Sequence, residues 1–124
     1  MTDPIFPGSI IIASVLDESG RNPKSRPLLV VSVPPEDELA VCVCVSITST
    51  WESVPEAFRV MLPFQSDKKL NSKTGLRLKS AAHCGWLNNI SLEQVITVKG
   101  RCPKMVFEEI LLRLPTKPPQ EDVR

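Results

Sequence analysis

The side chains best equipped for chemistry in this sequence stand at the ends of apolar runs. Arg26 is the only formal charge in Arg26-Pro27-Leu28-Leu29-Val30-Val31-Ser32. Its guanidinium is a permanent cation with donors in a planar fork, a shape that matches a carboxylate or phosphate. The run Leu39 to Ile47 ends in three hydroxyls, Thr48, Ser49 and Thr50. A hydroxyl donates or accepts a hydrogen bond but is far too weak a base to take a proton at neutral pH. His83 is the only histidine, and an imidazole's unperturbed pKa near neutrality makes it the sharpest candidate for a proton carrier. Each type also has an ordinary reading. An arginine flanking a strand is commonly a solvated edge or ion-pair partner, a threonine at a strand end a cap, and a lone histidine between small residues a satisfied structural group.

The four cysteines point away from metal chemistry. Cys42 and Cys44 lie within Val41-Cys42-Val43-Cys44-Val45 and, on a strand, share one face. A pair at that spacing lacks the further ligands that a zinc site requires. Cys84 and Cys102 are too dispersed to complete a pattern with one histidine. Packing is the expected role for the thiols, and neither a metal nor another cofactor is expected.

These side chains need a scaffold, and 124 residues are enough for one domain with a core of its own. Fifteen Lys+Arg against fourteen Asp+Glu leave a net charge of +1, which argues against a strongly basic coat and against a DNA-binding regulator while leaving room for a local patch. There is no run of eighteen apolar residues, and Asp3-Pro4 opens the chain in place of a basic and apolar leader. A cytoplasmic location is expected.

The pattern predicts strands over Ser9 to Leu16, the Arg26 run and Leu39 to Ile47, separated by polar turns at Asp17 to Ser25 and at Pro34 to Glu38. A half-buried strand is expected at Phe58 to Leu62, and a polar loop at Gln65 to Thr74 carrying Lys68, Lys69 and Lys73. Gly75 to Lys79 alternates as a short amphipathic strand would. Ser80 to Leu87 continues into another, with a turn at Asn88-Asn89, and Val95 to Gly100 reads as the last. After Pro103, the apolar residues Val106, Phe107, Ile110, Leu111 and Leu114 fall at helical spacing and stop at Pro115. The expected class is mostly β: a small, SH3-like antiparallel barrel with a C-terminal helix. Residues 1–115 form its single domain and 116–124 a flexible tail.

Several of these segments, in order, resemble the PemK/MazF toxin family of toxin-antitoxin systems. Pro7-Gly8-Ser9-Ile10-Ile11 is similar to that family's first strand, and Ser25-Arg26-Pro27-Leu28-Leu29-Val30-Val31-Ser32 resembles its Arg-Pro-hydrophobic second strand. Val43-Cys44-Val45-Ser46-Ile47-Thr48-Ser49 resembles its third, which ends in Thr-Ser or Thr-Thr. Gly75-Leu76, followed by Ser80 to Leu87, looks like a later strand.

The resemblance implies a homodimeric, metal-independent endoribonuclease toxin. Such a protein cuts single-stranded RNA at a short sequence, leaves a 2′,3′-cyclic phosphate and is inhibited by a cognate antitoxin protein. The family's recurrent active-site residues match Arg26 and Thr48 here, with Ser49 beside it on the RNA. Attack by the RNA's own 2′-OH needs a base, an acid for the leaving 5′-oxygen and donors for the charged phosphorane. Arg26 fits the last need, Thr48 positions the phosphate, and His83 is the candidate to move the proton. Arg21 and Lys24 are candidate phosphate contacts, and Trp51 and Trp86 either stack on bases or anchor the core or a dimer interface. The sequence departs from the family in two places. His83 falls where some members carry an arginine, two residues before an aspartate that is Gly85 here, and the loop before Arg26 is a residue or two short. Those departures motivate the alternative of a catalytically silent binding module on the same fold.

Overall fold

The structure, a computed structural model, describes residues 5–15, 24–33, 41–64 and 74–115. Arg21, Lys68, Lys69, Lys73, the turn at Pro34 to Glu38 and the 116–124 segment lie outside them. Six strands form one antiparallel sheet: β1 (Ser9–Val15), β2 (Lys24–Ser32), β3 (Val41–Thr48), β4 (Arg59–Leu62), β5 (Ser80–Ser91) and β6 (Val95–Arg101). Their spatial order is β4-β5-β3-β2-β1-β6. One helix, α1 (Lys104–Arg113), follows β6. The class is mostly β with a C-terminal helix, and the sheet stays open, with β4 and β6 at its two edges.

The strands β1, β2 and β3 read as near-continuous apolar runs because both faces of the sheet are covered. Ile10, Leu29, Val45, Ile47, Ala82 and Cys84 bury one face beneath Ile110 of α1. Ile11, Ala13, Leu28, Val30, Cys42, Cys44 and Ile90 bury the other. Cys42 and Cys44 therefore do share a face, as their spacing requires. All four thiols are free and buried.

Helix α1 starts directly after Pro103, whose φ of -59° suits a helix entry. It ends at Leu114, which is extended (ψ 149°) as the residue before a proline prefers to be. Ile110 is fully buried, and Val106, Phe107 and Leu114 pack around it. Leu111, expected inside, is instead 43% exposed. Arg113 fixes the helix's end by pairing with Glu109 at 2.6 Å and by donating to the carbonyls of Glu56 and Ala57 at 3.1 and 3.3 Å.

Two further expectations need correction. Residues 75–79 form no strand despite their alternation: Leu76 is buried, but Leu78 is 65% exposed and the backbone turns at Gly75 (φ +74°). Here Thr74, fully buried, shapes the chain by donating to the Pro63 carbonyl (2.8 Å) and accepting from the Leu76 N–H (3.2 Å). Nor is Asn88-Asn89 a turn. β5 runs straight through it, opposite Cys44 and Val43, and the Asn88 amide donates to Ser46 Oγ at 2.9 Å. Cross-strand pairing and a satisfied buried hydroxyl override the local turn preference.

Candidate functional site

The sheet's register decides which candidate side chains meet. β2 and β3 pair Val30 with Cys44, Leu29 with Val45 and Leu28 with Ser46. Pro27, with no N–H to donate, follows the last of these pairs. Extending the register two residues sets Arg26 beside Thr48, where β2 is just beginning and β3 ending. Arg26 thus lies on an interior strand near its start, rather than at a sheet edge. On the far side of β3, Thr48 pairs with Ala81 and Ser46 with His83. Residues directly opposite share a face, as do alternate residues of one strand. Arg26, Thr48 and His83 therefore occupy neighbouring strands on one face, with His83 one row further along than the other two.

A cleft of about 390 Å³ opens at this end of the sheet. Lys24, Arg26, Thr48 and Ser49 line it, together with Arg77 from the 75–79 segment and Lys99 from β6. Among the described residues that line it, none is acidic. Arg26 is half-buried, and its Nε is buried with no hydrogen-bond partner among the described residues. A buried donor left unpaired is costly, by about 1–3 kcal/mol. An incoming anion would relieve that cost. Thr48 Oγ1 accepts from the Thr50 N–H (3.1 Å) and lies 2.7 Å from Thr50 Oγ1, so the hydroxyl is held in place at the strand end. Ser49 and Lys24 are exposed at the cleft's rim.

His83 is outside the lining of this cleft. Its ring lies 6.3 Å from that of Phe58, stacked at 24°, and 6.2 Å edge-on from Trp86. The Gly85 N–H donates to its Nδ1 at 3.2 Å, which leaves Nε2 to carry the proton of the neutral ring. At Gly85 a side chain would be tightly placed. A Cβ there would stand 3.0 Å from Phe58 Cδ2 and 3.2 Å from His83 Cε1. Beside this cluster, Trp51 carries Lys79 Nζ at 4.4 Å and the Arg59 guanidinium at 5.7 Å over its ring. Arg59 is also tied to the Val54 carbonyl at 2.8 Å. Trp51 is thus engaged with cations, and Trp86 with His83.

Burial pushes every cysteine thiol up: Cys44 to about 12, with the neighbouring Cys42 adding to it, and Cys84 and Cys102 to about 11. Cys42 rises for the same reason. Such thiols are poor nucleophiles and poor metal ligands. Among the described residues, no group of three or more His, Cys, Asp or Glu is placed to hold a metal ion.

Sequence reasoning passed over Arg77 and Lys99. Arg77 reads as the solvent side of a strand, and Lys99 as a charge near a strand end. Their one local signal is Gly75, whose positive φ turns the chain across Lys99.

Residues 6–116 match the family of PemK-like, MazF-like toxins of type II toxin-antitoxin systems, and the chain belongs to that family. Among solved structures it is similar to the Mycobacterium tuberculosis toxin MazF-mt6, at 20% identity and a TM-score of 0.59 over 86% of this chain and 91% of that one. A MazE–MazF structure from Deinococcus radiodurans matches at 16% identity and a TM-score of 0.60, over 89% of this chain and 91% of the other. MazF alone from the same organism matches at 13% identity and a TM-score of 0.59, over 90% and 92%. These likenesses concern the fold. No curated protein matches the sequence.

Proposed function

We propose that this protein is an endoribonuclease toxin that cuts single-stranded RNA selectively and without a metal. Arg26 carries the reading: its buried Nε has no partner among the described residues, and the described lining of its cleft holds no acid and includes Thr48. A phosphodiester supplies the missing acceptor. As the 2′-oxygen attacks the phosphorus, negative charge builds on the non-bridging oxygens, and a guanidinium already in place stabilises it without reorganising. Thr48, fixed through Thr50, orients the phosphate or the 2′-OH. Ser49 and Lys24 hold the strand at the rim, with Arg21 assigned to the same task from the sequence alone. Departure of the 5′-oxygen leaves a 2′,3′-cyclic phosphate.

His83 is the one imidazole of this set, the side-chain type most used to move protons in catalysis. It shares the sheet face with Thr48 but stands against Phe58 and Trp86. It reaches the reaction centre only if the RNA, or a second copy of the chain, extends the site across that row. A homodimer is part of this proposal, as is inhibition by an antitoxin of the MazE kind, the partner in one of the similar structures. A cytoplasmic location follows from an RNA substrate; among the described residues no helix is long and apolar enough to cross a membrane.

The test is incubation of EDTA-treated protein with a mixed-sequence single-stranded RNA, mapping cut sites and end chemistry, beside Arg26→Ala. The expected result is selective cuts ending in cyclic phosphate, reduced by about 10²–10³-fold in the variant. Undiminished cleavage by Arg26→Ala would remove Arg26 from the mechanism. The second reading, a silent binding module, is favoured by Phe58 and His83 closing the space beside Gly85. It predicts no cleavage of any RNA and no growth arrest on expression.

A further inference from the structure

We propose that Arg113 is a positioning residue for His83: its guanidinium ties the last turn of α1 to the Glu56–Phe58 turn, and that tie holds the Phe58 ring against the imidazole. The inference rests on the ribonuclease reading only for its effect on cleavage.

Glu56–Phe58 is a three-residue helical turn that leads into β4. So short a turn has poor internal hydrogen-bond geometry and depends on outside contacts for its shape. Within it the Phe58 N–H donates to the Pro55 carbonyl at 2.9 Å, and the Arg59 N–H donates to the Glu56 carbonyl. Arg113 adds a contact from α1, its Nη1 donating to the Glu56 carbonyl at 3.1 Å and to the Ala57 carbonyl at 3.3 Å. These two carbonyls immediately precede Phe58. Because peptide units are planar, holding them sets the backbone from which the Phe58 ring departs.

The direction of the fork is itself set. Arg113 Nε donates to Glu109 Oε2 at 2.6 Å, one turn back on the same helix, and in a planar guanidinium a pinned Nε decides where Nη1 points. The two side chains are 36% and 46% exposed, and an ion pair so placed adds little to stability. Its consequence is geometric. His83 is confined by the Phe58 ring stacked at 6.3 Å, by Trp86 edge-on at 6.2 Å and by the Gly85 N–H on Nδ1 at 3.2 Å. Trp86 and Gly85 belong to β5, the strand that carries His83, and come with it. Phe58 comes from a separate turn, just before Arg59, the cross-strand partner of His83. Of the three groups it is the one whose place must be fixed from elsewhere, and Arg113 reaches the carbonyls that fix it.

His83 is the only histidine in the chain, so its Hε1 proton gives one assignable NMR signal, whose position senses the ring current of a stacked neighbour. The signal is recorded on the full chain at one pH for wild type, Phe58→Leu, Arg113→Ala and Glu109→Ala. Phe58→Leu removes the ring and calibrates the displacement. Arg113→Ala should move the signal in the same direction and weaken cross-relaxation between the Phe58 ring protons and Hε1. Glu109→Ala keeps the cation but unpins Nε, and should move the signal less far. Ile11→Val thins the core on the other face of the sheet; it lowers stability and should leave the signal in place. An Arg113→Ala signal identical to that of wild type would overturn the proposal, as would an equal displacement in Ile11→Val.

Cleavage supplies a second arm. If His83 carries a proton, His83→Ala should slow single-turnover cleavage by about 10²-fold or more. Arg113→Ala should slow it by a smaller factor, and the double variant should be no slower than His83→Ala alone, because the two residues act through one group. Factors that multiply would overturn the action of Arg113 through His83. If the signal moves as expected and wild type cuts no RNA, the positioning stands and the ribonuclease reading falls. If wild type cuts RNA and the signal stays in place, only the positioning falls.

Discussion

Gly75 is packed against the Lys99 backbone so closely that a Cβ at residue 75 would collide with the Lys99 carbonyl oxygen and stand 2.8 Å from its Cγ. The glycine also adopts φ +74°, a region that L side chains rarely enter. Two demands, one steric and one conformational, meet at a single residue. The contact joins the segment before β5, the strand next to one edge of the sheet, to β6 at the other edge, and so builds one wall of the cleft.

Gly75→Ala should therefore be among the costly single changes in the protein. The positive φ alone accounts for about 1–3 kcal/mol, and the Lys99 carbonyl, being backbone, cannot swing aside. Urea unfolding should show a loss of about 2 kcal/mol or more with an unchanged slope. A midpoint equal to that of wild type would mean that the segment relaxes freely and that Gly75 does not fix the wall.

Arg26 offers the opposite behaviour. Its Nε is buried without a partner among the described residues, so truncation removes an unsatisfied donor as well as a cation. Arg26→Ala should leave the stability unchanged or raise it by up to about 1 kcal/mol, while lowering the activity proposed above by about 10²–10³-fold. Thermal unfolding read beside cleavage checks both halves. A clear fall in Tm would show that Arg26 is a structural residue whose loss disables the protein by unfolding it.

The elements that could be read from the sequence are those whose local pattern and tertiary role agree. β1, β2 and β3 are β-branched runs buried on both faces, and α1 is bounded by Pro103 and Pro115. Misreadings arise where a distant contact decides. Asn88 lies within a strand because Ser46 needs its amide, and Leu78 alternates with Leu76 but covers nothing. The site divides in the same way. Arg26 and Thr48 stand at the ends of legible runs, and strand register brings those ends together. Arg77 and Lys99 meet them only through a segment with no regular structure, and His83 lies a row away for reasons set by Phe58 and Trp86. No spacing in the sequence encodes either fact.

The cysteines give a pH dependence with a definite sign. Burial raises their pKa values above the ordinary 9.0 of a thiol, to about 11 for Cys84 and Cys102 and about 12 for Cys44. Between those limits the unfolded chain has lost thiol protons that the folded one keeps. The contribution of the thiols to stability is thus fully present below about pH 9 and falls as the pH rises through 11 to 12. Denaturant midpoints measured from pH 8 to 11 should decline above pH 9, and a variant with Cys44→Ala should decline less steeply. A thiol reagent at pH 8 should label the native protein slowly and the unfolded protein at once. Rapid native labelling at Cys44 would contradict its burial.

Gly85 tests whether the position can be returned to the aspartate that the family resemblance places there. A Cβ at residue 85 would press on Phe58 at 3.0 and 3.1 Å and on His83 at 3.2 Å, tighter than ordinary contact but against side chains that can move. Gly85→Asp alone should therefore cost stability, by about 1–3 kcal/mol as overpacking does. Phe58→Ala alone should also destabilise, because the ring packs on the core beneath α1. In combination the two should cost less than their sum, by about 1 kcal/mol, since removal of the ring vacates the space that the new carboxylate needs. The same pair frees His83 from its stacked neighbour. If His83 carries the proton, single-turnover cleavage by the double variant should show a shifted pH profile. Strict additivity of the two stability changes would show that Phe58 does not guard the position.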